Sequence, residues 1–88
     1  MPNPHRLRVG DQVQFTRIPS EWDAGNFFIQ AEDRLFMDQV VAKGRWYKVY
    51  EIDEYNHAWV SILIYINKRR EHHTWAITES TGWRSRRS

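Results

Sequence analysis

The feature that most constrains the fold is the stretch GRWYKVYEIDEYNHAWVSILIYI at residues 44–66. In its second half Val60 and Ile62 begin a run of apolar residues two apart, which is the spacing of side chains on one face of a β-strand. The polar group DEYNH divides the stretch, and Asn56 within it tolerates the positive φ of a tight turn. The stretch therefore predicts an antiparallel hairpin whose two strands flank this turn.

Three other segments predict strands. LRVGDQVQFTRI alternates near the N-terminus, HHTWAIT follows the polar turn NKRRE, and ESTGW predicts a short strand around Trp83. The inward positions of the strands are expected to fill the core, and these positions are Val13, Phe15, Val49, Val60, Ile62 and Trp75.

One segment has a helical period instead. In IQAEDRLFMDQVVAKG, apolar side chains lie four residues apart, as they do along one side of an α-helix. Glu32 and Asp33 in the first turn and Lys43 in the last complement the helix dipole. Gly44 suits the left-handed position that ends a helix. These features predict a helix over about residues 31–43, before the central hairpin.

Together these elements predict a mainly β protein. About five short strands and one helix in 88 residues suit a single domain, and an SH3-like antiparallel barrel fits best because closing the sheet removes its edges. An OB-fold is the second possibility, although it usually has longer strands and a later helix. The domain is expected to span residues 8–83, with a disordered N-terminus at residues 1–7 and a flexible basic tail at residues 84–88.

Several short motifs add a resemblance to a known group. They lie within roughly residues 8–78 and are Gly10-Asp11-x-Val13, Ile18-Pro19, Gly44, Tyr47-x-Val49, Ile52-Asp53-Glu54-Tyr55 and Trp75. In these motifs the chain resembles small, uncharacterised bacterial proteins with an SH3-like fold. That group tends to have glycine in the central turn, where this chain has Asn56. The resemblance implies a fold and no established activity, so it assigns no catalytic or binding residues.

Composition narrows the kinds of site that are possible. The chain has no cysteine, which excludes disulfides, thiolate zinc sites and cysteine nucleophiles. His72 and His73 are adjacent and would point to opposite faces of a strand, so neither a metal site nor a cofactor is predicted. No apolar run reaches the ~20 residues that span a membrane, and the N-terminus lacks the apolar stretch of a secretory signal. The expectation is a cytoplasmic protein without a membrane partner.

The acidic cluster of Glu51, Asp53 and Glu54 predicts a structural role. It lies at the end of a predicted strand, where Asp53 is expected to accept hydrogen bonds from backbone N–H groups of the turn. Neither a Ser-His-Asp arrangement nor a glycine-rich phosphate loop can be assembled from the sequence. The protein is therefore predicted not to be an enzyme, and no catalytic residue is assigned.

Aromatic side chains on the outer side of the hairpin are the candidate ligand-binding residues. Tyr47 and Val49 are expected to face inward. The outward rings would then be covered by the helix, through Phe36 and Val40, or left open to stack on bases or to bind a proline-rich or methylated peptide. Coverage by the helix is favoured because so small a domain needs a large core. The first functional hypothesis is a non-enzymatic binding or adaptor module for a protein or peptide, with candidate residues Trp46, Tyr50, Tyr55 and Trp59.

The charge distribution provides the alternative hypothesis. The net charge is +2, but residues 1–10 carry +2, residues 11–66 carry −4 and residues 67–88 carry +4. A basic surface attracts phosphates, with binding that weakens as salt rises. The alternative is a weak nucleic-acid-binding protein, with candidate residues Lys68, Arg69, Arg70, Arg84, Arg86 and Arg87. The sequence does not determine whether the 67–70 turn and the tail lie on one face.

Overall fold

The computed structural model describes residues 3–23, 30–66 and 68–87. Its strands and helix are, in chain order, β1 at Gln12–Phe15, α1 at Ala31–Lys43, β2 at Trp46–Ile52, β3 at Ala58–Ile66, β4 at Arg69–Ile77 and β5 at Trp83–Arg86. Short 3₁₀ helices lie at Pro4–Arg6 and Ser20–Asp23. The prediction of a mainly β protein with one helix is confirmed, and α1 has the predicted bounds.

The helix ends by the predicted mechanism and lies on one side of the sheet. Gly44 has a φ of 59°, in the left-handed region, and its N–H donates to the carbonyls of Val40 and Val41. Phe36 of α1 stacks on Trp75 of β4, with the ring centroids 5.3 Å apart. The helix therefore covers the side of the sheet that Trp75 faces, which is called the inner face.

The five strands form one antiparallel sheet in the order β4-β3-β2-β1-β5. The predicted barrel is not confirmed, because the sheet is open and has β4 and β5 as its two edges. Within β2, residues 46–48 pair with β1 and residues 49–52 pair with β3, with an irregular register between Val49 and Glu51. A β-bulge of this kind bends a strand, so β2 turns between the two halves of the sheet.

The inner face holds the core. Five of the six predicted core residues are buried, namely Val13, Phe15, Val49, Val60 and Ile62. Trp75, the sixth, is partly buried and packs against this core. Trp75 lies on the edge strand β4, where the rings of Phe36 and Trp22 cover it and no further strand of the described residues flanks it.

Phe36 and Val40 of the helix do not cover the outer aromatic rings. Phe36 and Val40 are part of the inner core, so the favoured prediction that they cover outward rings such as Trp46 and Tyr50 is wrong. The physical reason is that α1 buries Phe36, Met37 and Val40 against the valine and isoleucine side chains of the inner face, which provide the larger apolar surface. The outer rings therefore contact other side chains or solvent.

Segments near both ends of the chain belong to the fold. Pro4–Arg6 form a 3₁₀ helix and Leu7 is buried, so the prediction of disorder over residues 1–7 is wrong for residues 4–7. Residues 84–86 are part of β5 and pair with β1, so the prediction of a flexible tail is wrong for them. Without β5, β1 would have an unpaired edge, and the pairing satisfies its backbone N–H and C=O groups.

Hydrogen bonds between the segment after β1 and the segment before β5 hold these two strands together, and this set of bonds is called the latch. The Thr16 N–H donates to the Gly82 carbonyl at 2.8 Å, and the Glu21 carboxylate accepts from the Thr81 hydroxyl and from a backbone N–H. Burial acts to raise the pKa of Glu21, but these bonds outweigh it and hold the pKa below its usual value of 4.5. Gly82 has a φ of 86°, and a Cβ there would lie 2.7 Å from the Arg17 carbonyl oxygen, so this position requires glycine.

Candidate nucleic-acid interface

The outer face of β5, β1 and β2 carries a surface of basic, aromatic and amide side chains. The strand register places Gln14 opposite both Trp46 and Arg84. It likewise places Gln12 opposite both Lys48 and Arg86. Directly opposed residues share one face of an antiparallel sheet. These six side chains therefore form one surface, called the outer platform: Gln12, Gln14, Trp46, Lys48, Arg84 and Arg86.

The two platform arginines are held by contacts within the protein. Arg84 Nε donates to Gln14 Oε1 and Arg86 Nε donates to Gln12 Oε1, both at 2.6 Å. Their guanidinium carbons lie 5.2 and 4.1 Å from the centroid of the Trp46 ring, in cation–π geometry. A guanidinium has five N–H groups, so the bond through Nε leaves the others for a ligand. Because the two side chains are already ordered, binding through them loses less conformational entropy.

An open cleft of about 1010 Å³ adjoins the platform and is called the arginine cleft. The N-terminal segment, β5 and the β2–β3 turn line it, and its arginines are Arg6, Arg8, Arg86 and Arg87. Asp11 is the single carboxylate among its described lining residues, and it accepts a hydrogen bond from the Arg8 N–H at 3.0 Å. The cleft is therefore strongly positive, and Arg86 belongs both to it and to the platform.

Contacts between His5 and Asn56 hold the N-terminal wall of the cleft. His5 Nδ1 lies 3.3 Å from the Asn56 carbonyl oxygen, and Asn56 Nδ2 donates to the His5 carbonyl at 3.4 Å. The His5 ring also stacks on His57, with centroids 6.3 Å apart. Asn56 has a φ of 62°, which confirms the predicted positive φ. The β2–β3 turn thus positions the segment that carries Arg6 and Arg8.

Asp53 organises this turn, as predicted. Its carboxylate accepts hydrogen bonds from Trp59 Nε1 and from the N–H groups of Tyr55 and His57, each at 2.9 Å. The bond from Trp59 is the main cause that holds the pKa of Asp53 below its usual value of 3.8, followed by the bond from the His57 N–H. The structural role of Asp53 is therefore confirmed, and Trp59 takes part in it.

The four predicted ligand-binding rings have different surroundings. Trp46 lies beneath the platform arginines, and Trp59 donates to Asp53. Tyr50 and Tyr55 are 47% and 71% exposed. Within the described residues, no ring contact joins any two of these four side chains. Only Trp46 belongs to the outer platform.

The predicted nucleic-acid residues separate into two groups. Lys68 lies in the β3–β4 turn with a φ of 65°, and Arg69 and Arg70 lie in β4 instead of the predicted turn. Arg84 and Arg86 lie in β5, at the opposite edge of the sheet. The turn and the C-terminal arginines therefore belong to opposite edge strands.

Three basic residues were not predicted: Arg6 and Arg8, which line the cleft, and Lys48, which lies on the platform. The first two had a signal in the sequence, because the basic excess lies at both ends of the chain. What the pattern does not show is that β1 pairs with β5, which brings the N-terminal segment beside the C-terminal arginines. The only signal for Lys48 in the sequence is its position on the outward side of β2, and many surface lysines have such a position.

The described part of the chain has neither a metal-binding group of side chains nor a membrane-spanning helix. Within residues 3–23, 30–66 and 68–87, no three or more His, Asp or Glu side chains are grouped so that they could hold a metal ion. Over the same residues, the helix is too short and too polar to cross a bilayer.

Comparisons with known proteins do not assign a family. No protein-family model matches the chain, and neither curated proteins nor solved structures gave a significant match. The resemblance to small SH3-like bacterial proteins therefore stays a prediction, and the function is inferred from the site.

Proposed function

We propose that this protein is a non-enzymatic module that binds single-stranded nucleic acid on the outer platform. The observation that carries the proposal is the pair Arg84 and Arg86, whose guanidiniums are fixed over Trp46. None of the six side chains that define the platform is a carboxylate. Proteins bind single strands by combining basic groups that contact the phosphates with aromatic groups that stack on the bases. The platform has both kinds of group, with Trp46 on β2 and the arginines on β5, and β1 lies between these two strands.

The positions of the charges support a phosphate ligand. Arg84 and Arg86 are two residues apart on β5, which separates their Cα atoms by about 6–7 Å. This distance is comparable to the spacing of successive phosphates along an extended strand. Lys48 adds a third positive charge in the row that contains Arg86. Arginine suits such a site because its planar N–H groups bind phosphate oxygens in pairs.

The aromatic groups favour a single strand over a duplex. Trp46 lies on the platform, and Tyr50 and Tyr65 are exposed on β2 and β3. In a duplex the bases stack on one another, whereas each base of a single strand has a face available to a side chain. A guanidinium that lies on Trp46 also presents its own plane to a base.

A protein or peptide is the second candidate ligand, and the exposed Tyr50 and Tyr55 favour it. That hypothesis needs rings gathered into a groove, and the four rings it names make no contact with one another among the described residues. Nucleic acid is therefore preferred, which reverses the order suggested by the sequence alone. The SH3-like barrel and the cytoplasmic location stay predictions, and the proposal depends on neither.

The test is the binding of labelled, unphosphorylated single-stranded DNA and RNA of about 12 nucleotides, measured by fluorescence anisotropy. Titrations are made at about 50 mM and about 150 mM salt. A variant with Lys48→Ala, Arg84→Ala and Arg86→Ala is expected to bind about tenfold more weakly or worse. Its salt slope should fall by about two, since each phosphate contact with a single strand contributes about 0.7.

The matched control removes the same charge at the opposite edge of the sheet, with Lys68→Ala, Arg69→Ala and Arg70→Ala. Its affinity is expected to stay within about threefold of the wild type, since screening weakens charges beyond a Debye length of about 8 Å. Equal losses in both variants would reduce the effect to net charge and contradict the proposal. Absence of binding by the wild type, or equal affinity for a duplex, would also contradict it. Thermal melting checks that each variant is folded.

A further inference from the structure

We infer that the arginine cleft binds the terminal phosphate of a strand that lies on the outer platform; this inference rests on the proposed function. Arg6, Arg8 and Arg87 line the cleft, are exposed, and have no side-chain hydrogen bond or ion pair within the described part of the chain. Arg86 connects the cleft to the platform. Three unpaired guanidiniums are thus held together at one end of the proposed binding surface.

The cleft concentrates more positive charge than a phosphate within a strand requires. Its described lining contains four arginines and one carboxylate, that of Asp11. This carboxylate already accepts a hydrogen bond from the backbone N–H of Arg8. A phosphodiester carries one negative charge, whereas a phosphomonoester carries about −1.5 to −2 at pH 7 and has three acceptor oxygens. The terminal group therefore matches both the charge of the cleft and the number of its donors.

The remaining lining also suits a phosphate. Besides the arginines and Asp11, four residues with polar side chains line the cleft: Asn3, His5, Asn56 and Ser85. Leu7 and Trp83 are buried beneath them. An apolar floor keeps water away from one side of a bound anion, and a lower local dielectric strengthens its attraction to the guanidiniums.

The path of β5 explains why the end of a strand is expected here. Arg84 lies on the platform, Arg86 lies on both surfaces, and Arg87 lines the cleft. The three residue steps from Arg84 to Arg87 cover about 10 Å. The segment that carries Arg6 and Arg8 forms a further wall of the cleft and is held by the contact between His5 and Asn56. A strand whose end enters the cleft therefore leaves its next nucleotides over the platform.

The test compares three forms of one internally labelled oligonucleotide of about 12 nucleotides: with a 5′-phosphate, with a 3′-phosphate, and without a terminal phosphate. One phosphorylated form is expected to bind wild-type protein about tenfold more tightly than the unphosphorylated form. The variant with Arg6→Ala, Arg8→Ala and Arg87→Ala should lose this preference. Its affinity for the unphosphorylated form should change by less than about threefold, because the platform is intact. If this variant melts early, Arg87→Gln alone gives the same test with a smaller expected loss.

The outcomes separate the inference from the proposed function. Equal binding of all three forms by the wild type would overturn the inference and leave the proposed function standing, whereas binding of none would overturn both. The mononucleotide with the same phosphate should bind at least about tenfold more weakly, since it does not reach the platform. Equal affinity for the mononucleotide would assign the cleft to free nucleotides. A phosphoserine peptide that binds as tightly as the phosphorylated oligonucleotide would overturn the assignment to nucleic acid.

Discussion

On the inner face of β2, Tyr47 and Val49 are buried in the core, while on the outer face Trp46 and Lys48 lie beside the arginines of β5. The inner contacts are apolar and depend on close packing. The outer contacts are cation–π interactions and amide–guanidinium hydrogen bonds, which leave positive charge at the surface. The fold and the candidate site therefore use alternate residues of the same strand. Residues on one face of the sheet can therefore be mutated with little effect on the contacts of the other face.

The largest difference between the faces is expected in β3, from Ile62→Ala and Leu63→Ala. Ile62 is 0% exposed, and its truncation should lower the free energy of unfolding by about 2–5 kcal/mol. Leu63 is the next residue, faces outward and is 39% exposed, so its truncation should cost less than about 1 kcal/mol. Urea denaturation measures both. Losses of equal size would mean that the two faces do not differ in packing.

The next largest effect is expected at Gly82, in the latch that holds β5 beside β1. Gly82→Ala should cost about 2–3 kcal/mol, because it adds a Cβ at 2.7 Å from the Arg17 carbonyl oxygen to the strain of a positive φ. Gly44→Ala is the control, with a similar φ and its nearest neighbour, Gln14 Nε2, at 3.7 Å. Strain alone should cost about 1 kcal/mol there. The same denaturation experiment compares them, and equal losses would show that the latch backbone yields to the added atom.

A smaller and opposite effect is expected from Tyr47→Phe. The Tyr47 hydroxyl is buried and has no hydrogen-bond partner in the described part of the chain. Burial raises its pKa above the usual 10.0, so the group is neutral at pH 7. Removing an unpaired buried hydroxyl should increase the free energy of unfolding by about 1 kcal/mol. Tyr50→Phe, on the outer face, should change it by less than about 0.5 kcal/mol. A destabilised Tyr47→Phe protein would indicate that the hydroxyl is bonded and would remove this contrast.

The smallest effect concerns acid stability at the end of β2. The pKa of Asp53 is below 3.8, so its stabilising contribution is complete above pH 3.8 and is lost as the pH falls through the lower folded-state pKa. Asp53→Asn should therefore melt below the wild type at neutral pH, with a difference that shrinks below pH 3.8. Melting temperatures between about pH 2 and about pH 7 test this. Glu21, whose pKa is also lowered, is kept in the variant, so acid unfolding itself should persist. A difference that is constant with pH would show that the Asp53 charge is not involved.

How well the sequence predicts the structure depends on whether a feature is local. The helix at Ala31–Lys43 was predicted because its apolar period, its charged ends and Gly44 all lie within the element itself. The inner face of β3 was predicted because its alternation extends over nine residues. Residues 84–86 are polar and lack such alternation, so their pairing with β1 was not predicted. Partners 70 residues apart leave no local pattern.

The candidate site was predictable in its parts but not in their assembly. The sequence makes Trp46 a candidate for stacking on bases or for binding a peptide, and it makes Arg84 and Arg86 candidates for binding nucleic acid, without joining the three residues in one site. The strand order β2-β1-β5 places the three side chains together through Gln12 and Gln14. Neither glutamine was singled out, because an amide on an exposed strand position has no signature until its neighbours on both sides are known.

The pairing of β1 with β5 also has a consequence during protein synthesis. Gln14 and Gln12 leave the ribosome long before their partners Arg84 and Arg86, which follow 70 and 74 residues later. At about 5–20 residues per second, the interval is several seconds, far longer than a hairpin or a helix needs to form. Joining segments so distant also requires closing a long loop, which slows the step further. The basic surface is thus completed last, and a nascent chain that stops before residue 84 has the central hairpin and helix but no platform for phosphate.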